Sequence, residues 1–122
     1  MTIDATAESF ADLIREGDVL VDFWGPNCAP CVALMPAVDE LSRAYEGAVR
    51  VVKVNSGNKE NRPIAWQLKV MGLPTYVSLR NGSEVERLTG ADVTIAQIEA
   101  ALQRLVNGGT NVPEGQEGHR AG

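Results

Sequence analysis

Runs of apolar residues alternate along the chain with stretches in which apolar residues recur at every third or fourth position. The runs 19–24 and 49–54 are apolar almost throughout, which is typical of strands covered on both faces. Between them, Leu34 and Val38 recur at helical spacing and predict a helix over about 28–46. The pattern therefore predicts an α/β protein.

The turn and capping residues between these segments indicate where the elements begin and end. Asn81-Gly82 between two short apolar runs is a strong hairpin signal, so the flanking strands should be antiparallel. A capping box, Thr94-x-x-Gln97, begins the last helix, which should end before Gly108. The predicted strands are 2–4, 19–24, 49–54, 75–79 and 85–88, and the other predicted helices are 6–16, 28–46 and 62–69. This order joins a βαβ half with parallel pairing to a ββα half with antiparallel pairing, and predicts a central mixed β-sheet flanked by helices on both faces.

The composition changes abruptly near the end of the chain. Five of the sixteen residues from 107 to 122 are glycine, and Val112 is the only large apolar residue among them. Such a segment cannot bury enough apolar surface to offset the entropy lost on ordering. We therefore predict one folded domain over 1–106 and a flexible, glycine-rich C-terminal tail over 107–122.

Composition and charge exclude several classes of function. No stretch approaches the ~20 apolar residues of a membrane span, and the N-terminal residues lack the pattern of a signal peptide. The net charge is −5 and basic residues do not cluster, which argues against binding to nucleic acid. We expect a cytoplasmic protein, a monomer, that binds neither membranes nor nucleic acid.

The two cysteines, Cys28 and Cys31, lie where a buried strand passes into a helix. A thiol at a helix start lies near unpaired N–H groups and the positive end of the helix dipole, worth ~0.3–2 kcal/mol to an anion. That could lower the pKa of the Cys28 thiol by about one unit from ~8.5. Cys31 lies one helical turn behind and inward, so we predict that Cys28 attacks a disulfide and Cys31 resolves the intermediate.

Three other interpretations of the cysteine pair remain open from the residues alone. A structural disulfide closing so short a loop would contribute only about 2 kcal/mol by chain entropy. A structural zinc site needs four ligands, whereas the pair supplies two and the one histidine, His119, lies in the predicted tail. Buried, inert thiols are the third possibility, and we favour redox chemistry without a metal or a bound cofactor.

Two charged residues interrupt the predicted strands, Asp22 just before the cysteines and Lys53 within 49–54. Burial raises the pKa of a carboxyl group, so Asp22 could accept a proton from Cys31 near neutral pH, with Lys53 adjusting it. The alternative is that Asp22 ends a strand and that Lys53 extends to solvent.

Taken together, these residues resemble the thioredoxin family. The matching segments are spread in the family's order over about 2–106: Val21-Asp22-Phe23-Trp24, Cys28-x-Pro30-Cys31, Pro36, Lys53-Val54-Asn55, Gly72-Leu73-Pro74-Thr75, Asn81-Gly82 and Gly90. The resemblance implies the thioredoxin fold and dithiol–disulfide exchange on protein substrates, with Asp22 as the buried base and Lys53 as its partner. It also implies regeneration by a flavin-dependent thioredoxin reductase.

The resemblance further implies a substrate groove beside the cysteines. Pro74 should follow a cis peptide bond and face the sulfur atoms, and an extended substrate should pair with the free backbone of Leu73. The expected lining comprises Trp24, Gly25, Pro26, Asn27, Ala29, Pro30, Val70, Leu73, Pro74 and Gly90. Trp24 could equally belong to the core, and we expect Trp66 to pack within its helix without a functional role.

Two positions depart from the family pattern. Asn27 stands where members usually carry an aromatic residue, and Ala29 stands where they usually carry glycine. The first should change which proteins dock, and the second should alter the redox potential through the backbone. Two other functions stay open: a disulfide oxidase or isomerase, and a thioredoxin-fold binding module independent of sulfur chemistry.

Overall fold

A five-stranded mixed sheet forms the centre of the computed structural model, which describes residues 1–108. The strands follow the spatial order β1-β3-β2-β4-β5. They are β1 (Thr2–Asp4), β2 (Asp18–Trp24), β3 (Val49–Asn55), β4 (Thr75–Arg80) and β5 (Ser83–Thr89), and the helices are α1 (Phe10–Ile14), α2 (Ala29–Ala44), α3 (Arg62–Gln67) and α4 (Ile95–Val106). A short 3-10 helix over Lys59–Asn61 precedes α3. The predicted fold class and element order are confirmed.

The sheet pairings match the two predicted halves. β3 runs parallel to both β1 and β2, which gives the βαβ half. β4 runs antiparallel to β2 and to β5, which gives the ββα half. Asn81 and Gly82 both have positive φ, +51° and +83°, as the two central residues of a type I′ hairpin turn require.

Alternating residues of the central strands bury two separate cores, one on each face of the sheet. Helices α1 and α3 cover the first face, where Val21 and Phe23 of β2 pack against Phe10 and Ile64. Helices α2 and α4 cover the second face, where Leu20 packs with buried residues that include Val38, Tyr76, Ile98, Leu102 and Leu105. Because neighbouring side chains of a strand point to opposite faces, Asp22 lies on the second face, beneath α2.

The first helix is shorter than predicted. The regular helix begins at Phe10 rather than near residue 6, and a turn over 7–9 precedes it. The Ser9 hydroxyl accepts from the Thr6 N–H at 2.9 Å, and the Thr6 hydroxyl accepts from the Ser9 N–H at 3.1 Å. These reciprocal bonds have the pattern of a capping box, and the Phe10 N–H donates to the Thr6 carbonyl at 3.1 Å. The chain therefore begins to turn at Thr6 but becomes a regular helix only at Phe10.

The third helix also ends earlier than predicted, at Gln67 instead of 69. Lys69 has a positive φ of +57°. Its N–H donates to the Trp66 carbonyl at 3.1 Å, and the Val70 N–H donates to the Ala65 carbonyl at 2.8 Å. These two bonds form a Schellman motif, which terminates the helix.

The expectation for Trp66 was wrong, since its side chain is 71% exposed. Ile64 takes the position of α3 that faces the core, and a residue two places further along a helix points to nearly the opposite side. The predicted capping box of α4 is present, with bonds in both directions between Thr94 and Gln97.

Two sequence predictions concern the limits of the fold. Within residues 1–108, no helix is long and apolar enough to cross a membrane. Residues 109–122 of the predicted tail lie outside the described residues, so the boundary at 106 stays a prediction.

Candidate active site

Cys28 and Cys31 form a disulfide at the N-terminus of α2, with 5.3 Å between their Cα atoms. Cys28 is the N-cap residue, and its sulfur accepts a hydrogen bond from the Cys31 N–H at 3.3 Å. The local sequence favours this arrangement, because Pro30 in the first turn of the helix lacks the N–H that would otherwise need a partner. The Cys28 sulfur thus lies at the positive end of the helix, as the sequence predicts.

The two cysteines differ in access to solvent. Cys28 is partly exposed, whereas Cys31 is only 1% exposed. Their neighbours in the loop, Asn27 and Ala29, are exposed. A protein that approaches this end of the molecule therefore reaches the Cys28 sulfur before the Cys31 sulfur.

Asp22 lies at the centre of a row of polar side chains across three strands. The parallel register places Lys53 of β3 beside it, and the antiparallel register places Tyr76 of β4 on its other side. Asp22 and Tyr76 are each 1% exposed. The Asp22 Oδ1 atom and the Tyr76 hydroxyl are both buried without a hydrogen-bond partner among the described residues.

Burial dominates the electrostatics of this row. Loss of hydration raises the pKa of Asp22 to about 7, and the positive charge of Lys53 partly opposes that rise. Burial and the neighbouring Asp22 charge both raise the pKa of Tyr76. Tyr76 therefore keeps its proton and can act only as a neutral hydroxyl, whereas Asp22 can exchange a proton near neutral pH.

Lys53 does not bind Asp22 directly. Its Nζ atom lies 4.0 Å from the Asp4 carboxylate of β1 and 5.3 Å from the centre of the Trp24 ring. The Lys53 side chain is 19% exposed, so the ammonium group remains in contact with water. Its effect on Asp22 is that of a nearby positive charge, and it also holds the half-buried Trp24 by a cation–π contact.

The predicted groove residues come from three separate segments of the chain that contact one another. A Cβ atom added to Gly25 would lie 3.4 Å from the Leu73 side chain, so these two residues are in close contact. The Gly90 N–H donates to the Pro74 carbonyl at 2.9 Å. The Leu73–Pro74 peptide bond is cis, as the resemblance implies.

The residues of the predicted groove differ from one another in exposure. Gly25 and Pro74 are buried, and the exposed positions are Pro26, Asn27 and Ala29. Trp24, Pro30, Val70, Leu73 and Gly90 are half-buried. Among hydrogen bonds within residues 1–108, none uses the backbone N–H or carbonyl of Leu73.

Comparisons with known proteins agree with this geometry. The family model described as thioredoxin matches residues 1–104. The thioredoxin of Acetoanaerobium sticklandii is 39% identical over 90 residues, which are 74% of this chain and 84% of that protein. The thioredoxin of Bacillus subtilis is 36% identical over 105 residues, 86% of this chain and 94% of that protein.

This chain belongs to the thioredoxin family. The thioredoxin of Peptoclostridium acidaminophilum, 42% identical over 94 residues (77% of this chain and 84% of that protein), supports the same assignment. The protein is a thiol–disulfide oxidoreductase that reduces protein disulfides, and neither the oxidase or isomerase alternative nor the binding-module alternative is favoured.

Sequence reasoning missed Tyr76, the buried residue that lies beside Asp22 in this thioredoxin-family structure. The signal was present in part, since alternation along β4 puts Tyr76 and Ser78 on one face and Val77 on the other. Its position beside Asp22 depends on the pairing of β2 with β4, which residue spacing does not give. Within residues 1–108, no group of three or more potential ligands is arranged to hold a metal ion.

Proposed function

We propose that Cys28 is the attacking nucleophile of this oxidoreductase and that Cys31 resolves the intermediate. The observation that carries this assignment is the difference in access: Cys28 is partly exposed and Cys31 is buried. The Cys31 N–H, which donates to the Cys28 sulfur, also stabilises a thiolate at Cys28 once the disulfide is reduced. A thiolate, not a thiol, is the attacking species.

The reaction runs in two exchanges. The Cys28 thiolate attacks one sulfur of the client disulfide, which forms a mixed disulfide and releases the other client sulfur as a thiolate. Cys31 then loses its proton and attacks the Cys28 sulfur; the protein disulfide forms and the second client sulfur leaves. Two electrons pass from the dithiol of this protein to the client disulfide.

Asp22 accepts the proton of Cys31 in the second exchange. It lies buried on the sheet face that α2 covers, and its pKa of about 7 matches a group that must gain and lose a proton near neutral pH. Lys53 keeps a positive charge beside the register position of Asp22 and so limits how far burial raises that pKa.

A client binds along the groove formed by the ten lining residues given above. The free backbone of Leu73 lets an extended client segment pair there as an added strand, and Pro74 offers no N–H of its own that would need a partner. Asn27 and Ala29, exposed beside Cys28, are the lining positions most able to change which clients dock.

The remaining expectations about this protein also belong to the proposal. A flavin-dependent thioredoxin reductase restores the dithiol, and disulfide-containing proteins are the clients. The protein works in the cytoplasm, because a reductase needs a compartment that keeps thiols reduced. It works as a monomer and uses neither a metal nor a bound cofactor. The folded domain covers 1–106.

The assignment of roles can be tested with single cysteine variants. With insulin as the client, Cys31→Ser that has been reduced and then freed of reductant should accumulate a mixed disulfide with the client, visible by mass spectrometry, and Cys28→Ser should not. An alkylating agent should label reduced Cys28 far faster than Cys31. Equal labelling of both, or a stable mixed disulfide on Cys31, would contradict the assignment.

The direction of the reaction can be tested with a glutathione buffer. If the protein is a reductase, the reduction potential of its Cys28–Cys31 disulfide should lie well below about −200 mV. That is the range of thioredoxin rather than of disulfide isomerases. A higher potential would make this chain an oxidant and would favour the oxidase or isomerase function instead.

A further inference from the structure

The buried tyrosine beside Asp22 is the polar group on this sheet face that the proposed mechanism leaves unused. Tyr76 is the register partner of Asp22 on β4, and both side chains are 1% exposed. A buried hydroxyl without a partner costs about 1–3 kcal/mol, and so does a buried carboxylate oxygen. Such groups are rare in native proteins unless they serve a purpose.

Two other polar side chains on this face, Lys53 and Ser42, are already engaged. Lys53 of β3 reaches the Asp4 carboxylate and the Trp24 ring. The buried side chains of α2 are Cys31, Val38 and Ser42, and the Ser42 hydroxyl donates to the Asp39 carbonyl at 2.6 Å.

The last helix and the last strand provide no alternative partner either. The buried side chains of α4 are all apolar: Ile98, Ala101, Leu102 and Leu105. Glu86, a buried carboxylate of β5, is bound by Arg104. Within residues 1–108, two neutral donors on this face are buried without a partner, the Tyr76 hydroxyl and the indole N–H of Trp24. Of the two, Tyr76 is the direct register partner of Asp22 on the neighbouring strand.

We propose that Tyr76 is a positioning residue for the resolving step, and that its hydroxyl donates a hydrogen bond through one bound water to the Asp22 carboxylate. A water bridge fits because a tyrosine side chain is much longer than an aspartate side chain on a neighbouring strand, so the two polar atoms lie at different heights above the sheet. The proposal rests on the proposed role of Asp22 as the proton acceptor.

The hydroxyl acts by favouring the charged carboxylate. A donor directed at a carboxylate stabilises its ionised form and lowers its pKa, in the same direction as the charge of Lys53. Asp22 must be ionised before it can take the proton of Cys31, so a larger ionised fraction near neutral pH accelerates the resolving step. Tyr76 keeps its own proton throughout.

The test is Tyr76→Phe, which removes the hydroxyl and keeps the ring in the core. Tyr45→Phe is the matched control, because Tyr45 is a half-buried tyrosine at the far end of α2. In the full-length protein, the Asp22 carboxyl carbon is followed by NMR across pH. In Tyr76→Phe its titration midpoint should rise by roughly 0.5–1 pH unit, while Tyr45→Phe should leave it unchanged.

A kinetic measurement connects this shift to the reaction. At pH 7, a midpoint one unit higher lowers the ionised fraction of Asp22 by about fivefold, so resolution of the mixed disulfide should slow by up to about fivefold. The rate should recover at pH 9, where Asp22 is ionised in both forms. Loss of packing alone would not produce a defect that disappears at high pH.

The outcomes separate this proposal from the proposed function. An unchanged Asp22 midpoint in Tyr76→Phe would overturn the role of Tyr76. A resolving rate that is unaffected by Asp22→Asn would instead overturn the role of Asp22 as proton acceptor. If Tyr76→Phe does not fold, the wild-type tyrosine provides a second measurement: its Cζ resonance should move with the midpoint of Asp22, and an invariant resonance would overturn the proposal.

Discussion

At the scale of a single residue, Asp22 combines two opposing properties, a position beneath α2 and a buried side chain. Its place under α2 gives it access to chemistry near Cys31, yet burial makes its charged form unfavourable. The group is therefore neutral in the folded protein at a pH where it would be ionised in the unfolded chain. A pH-dependent loss of stability follows from this difference.

The stability that Asp22 contributes falls as the pH rises. The pKa of Asp22 is 3.8 without the fold and about 7 with it, so between these values the folded state holds a proton that the unfolded state has released. The contribution of Asp22 to stability is full below pH 4 and is lost as the pH rises toward 7. Above pH 7 the accumulated penalty is roughly 3–4 kcal/mol.

Replacement of Asp22 by asparagine should remove this penalty. We expect Asp22→Asn to raise the free energy of unfolding of the oxidised protein, and to raise it more at pH 8 than at pH 5, by roughly 2–3 kcal/mol between the two. Urea unfolding at both pH values measures the effect. Asp92→Asn, at an exposed position, is the control. A gain that is equal at the two pH values would contradict the titration assigned to Asp22.

At the scale of elements, a buried ion pair joins the last helix to the last strand. The Glu86 side chain of β5 is 3% exposed and accepts two hydrogen bonds from Arg104 of α4, at 3.0 Å and 2.5 Å. The Arg104 side chain is 42% exposed. The pair thus fixes α4 over the second core at the edge of the sheet.

Loss of Arg104 should leave the Glu86 charge buried and unpaired. Removal of one partner from a fully buried pair costs roughly 3–5 kcal/mol; because Arg104 is partly in solvent, we expect about 1–3 kcal/mol for Arg104→Ala. Arg15→Ala breaks an exposed pair with Asp12 within the first helical segment and should cost less than about 1 kcal/mol. Equal losses in urea unfolding would show that the Glu86 pair gives α4 no special support.

The sequence predicted the type and order of every strand and of the four α-helices, because their periodicities are strong. It failed at the ends of α1 and α3, because a capped turn from Thr6 to Ser9 precedes the regular part of α1 and a Schellman motif at Lys69 terminates α3. Local spacing also predicted Cys28, Cys31 and Asp22 as candidate site residues. The position of Tyr76 beside Asp22 was not predicted, because it depends on a strand register between distant parts of the chain.

At the scale of the whole molecule, the last turns of α4 complete the packing of the second core. Leu105 is 1% exposed within that core, and its carbonyl accepts from the Arg80 guanidinium at 2.8 Å. The N–H groups of Asn107 and Gly108 still bond back to the helix, at 3.1 Å each. The described contacts of α4 thus continue as far as residue 108.

Two truncations test this boundary against each other. A chain ending after residue 108 should unfold within about 0.5 kcal/mol of the full-length protein and reduce insulin at the same rate, because it keeps every contact of α4. A chain ending after residue 103 loses Leu105 and the bond to Arg80, and should be destabilised by at least about 2–5 kcal/mol, the cost of emptying one buried leucine site. Urea unfolding and insulin reduction measure both. A loss of more than about 1 kcal/mol in the longer chain would mean that the domain extends beyond the predicted boundary, since the removed residues would then contribute to its stability.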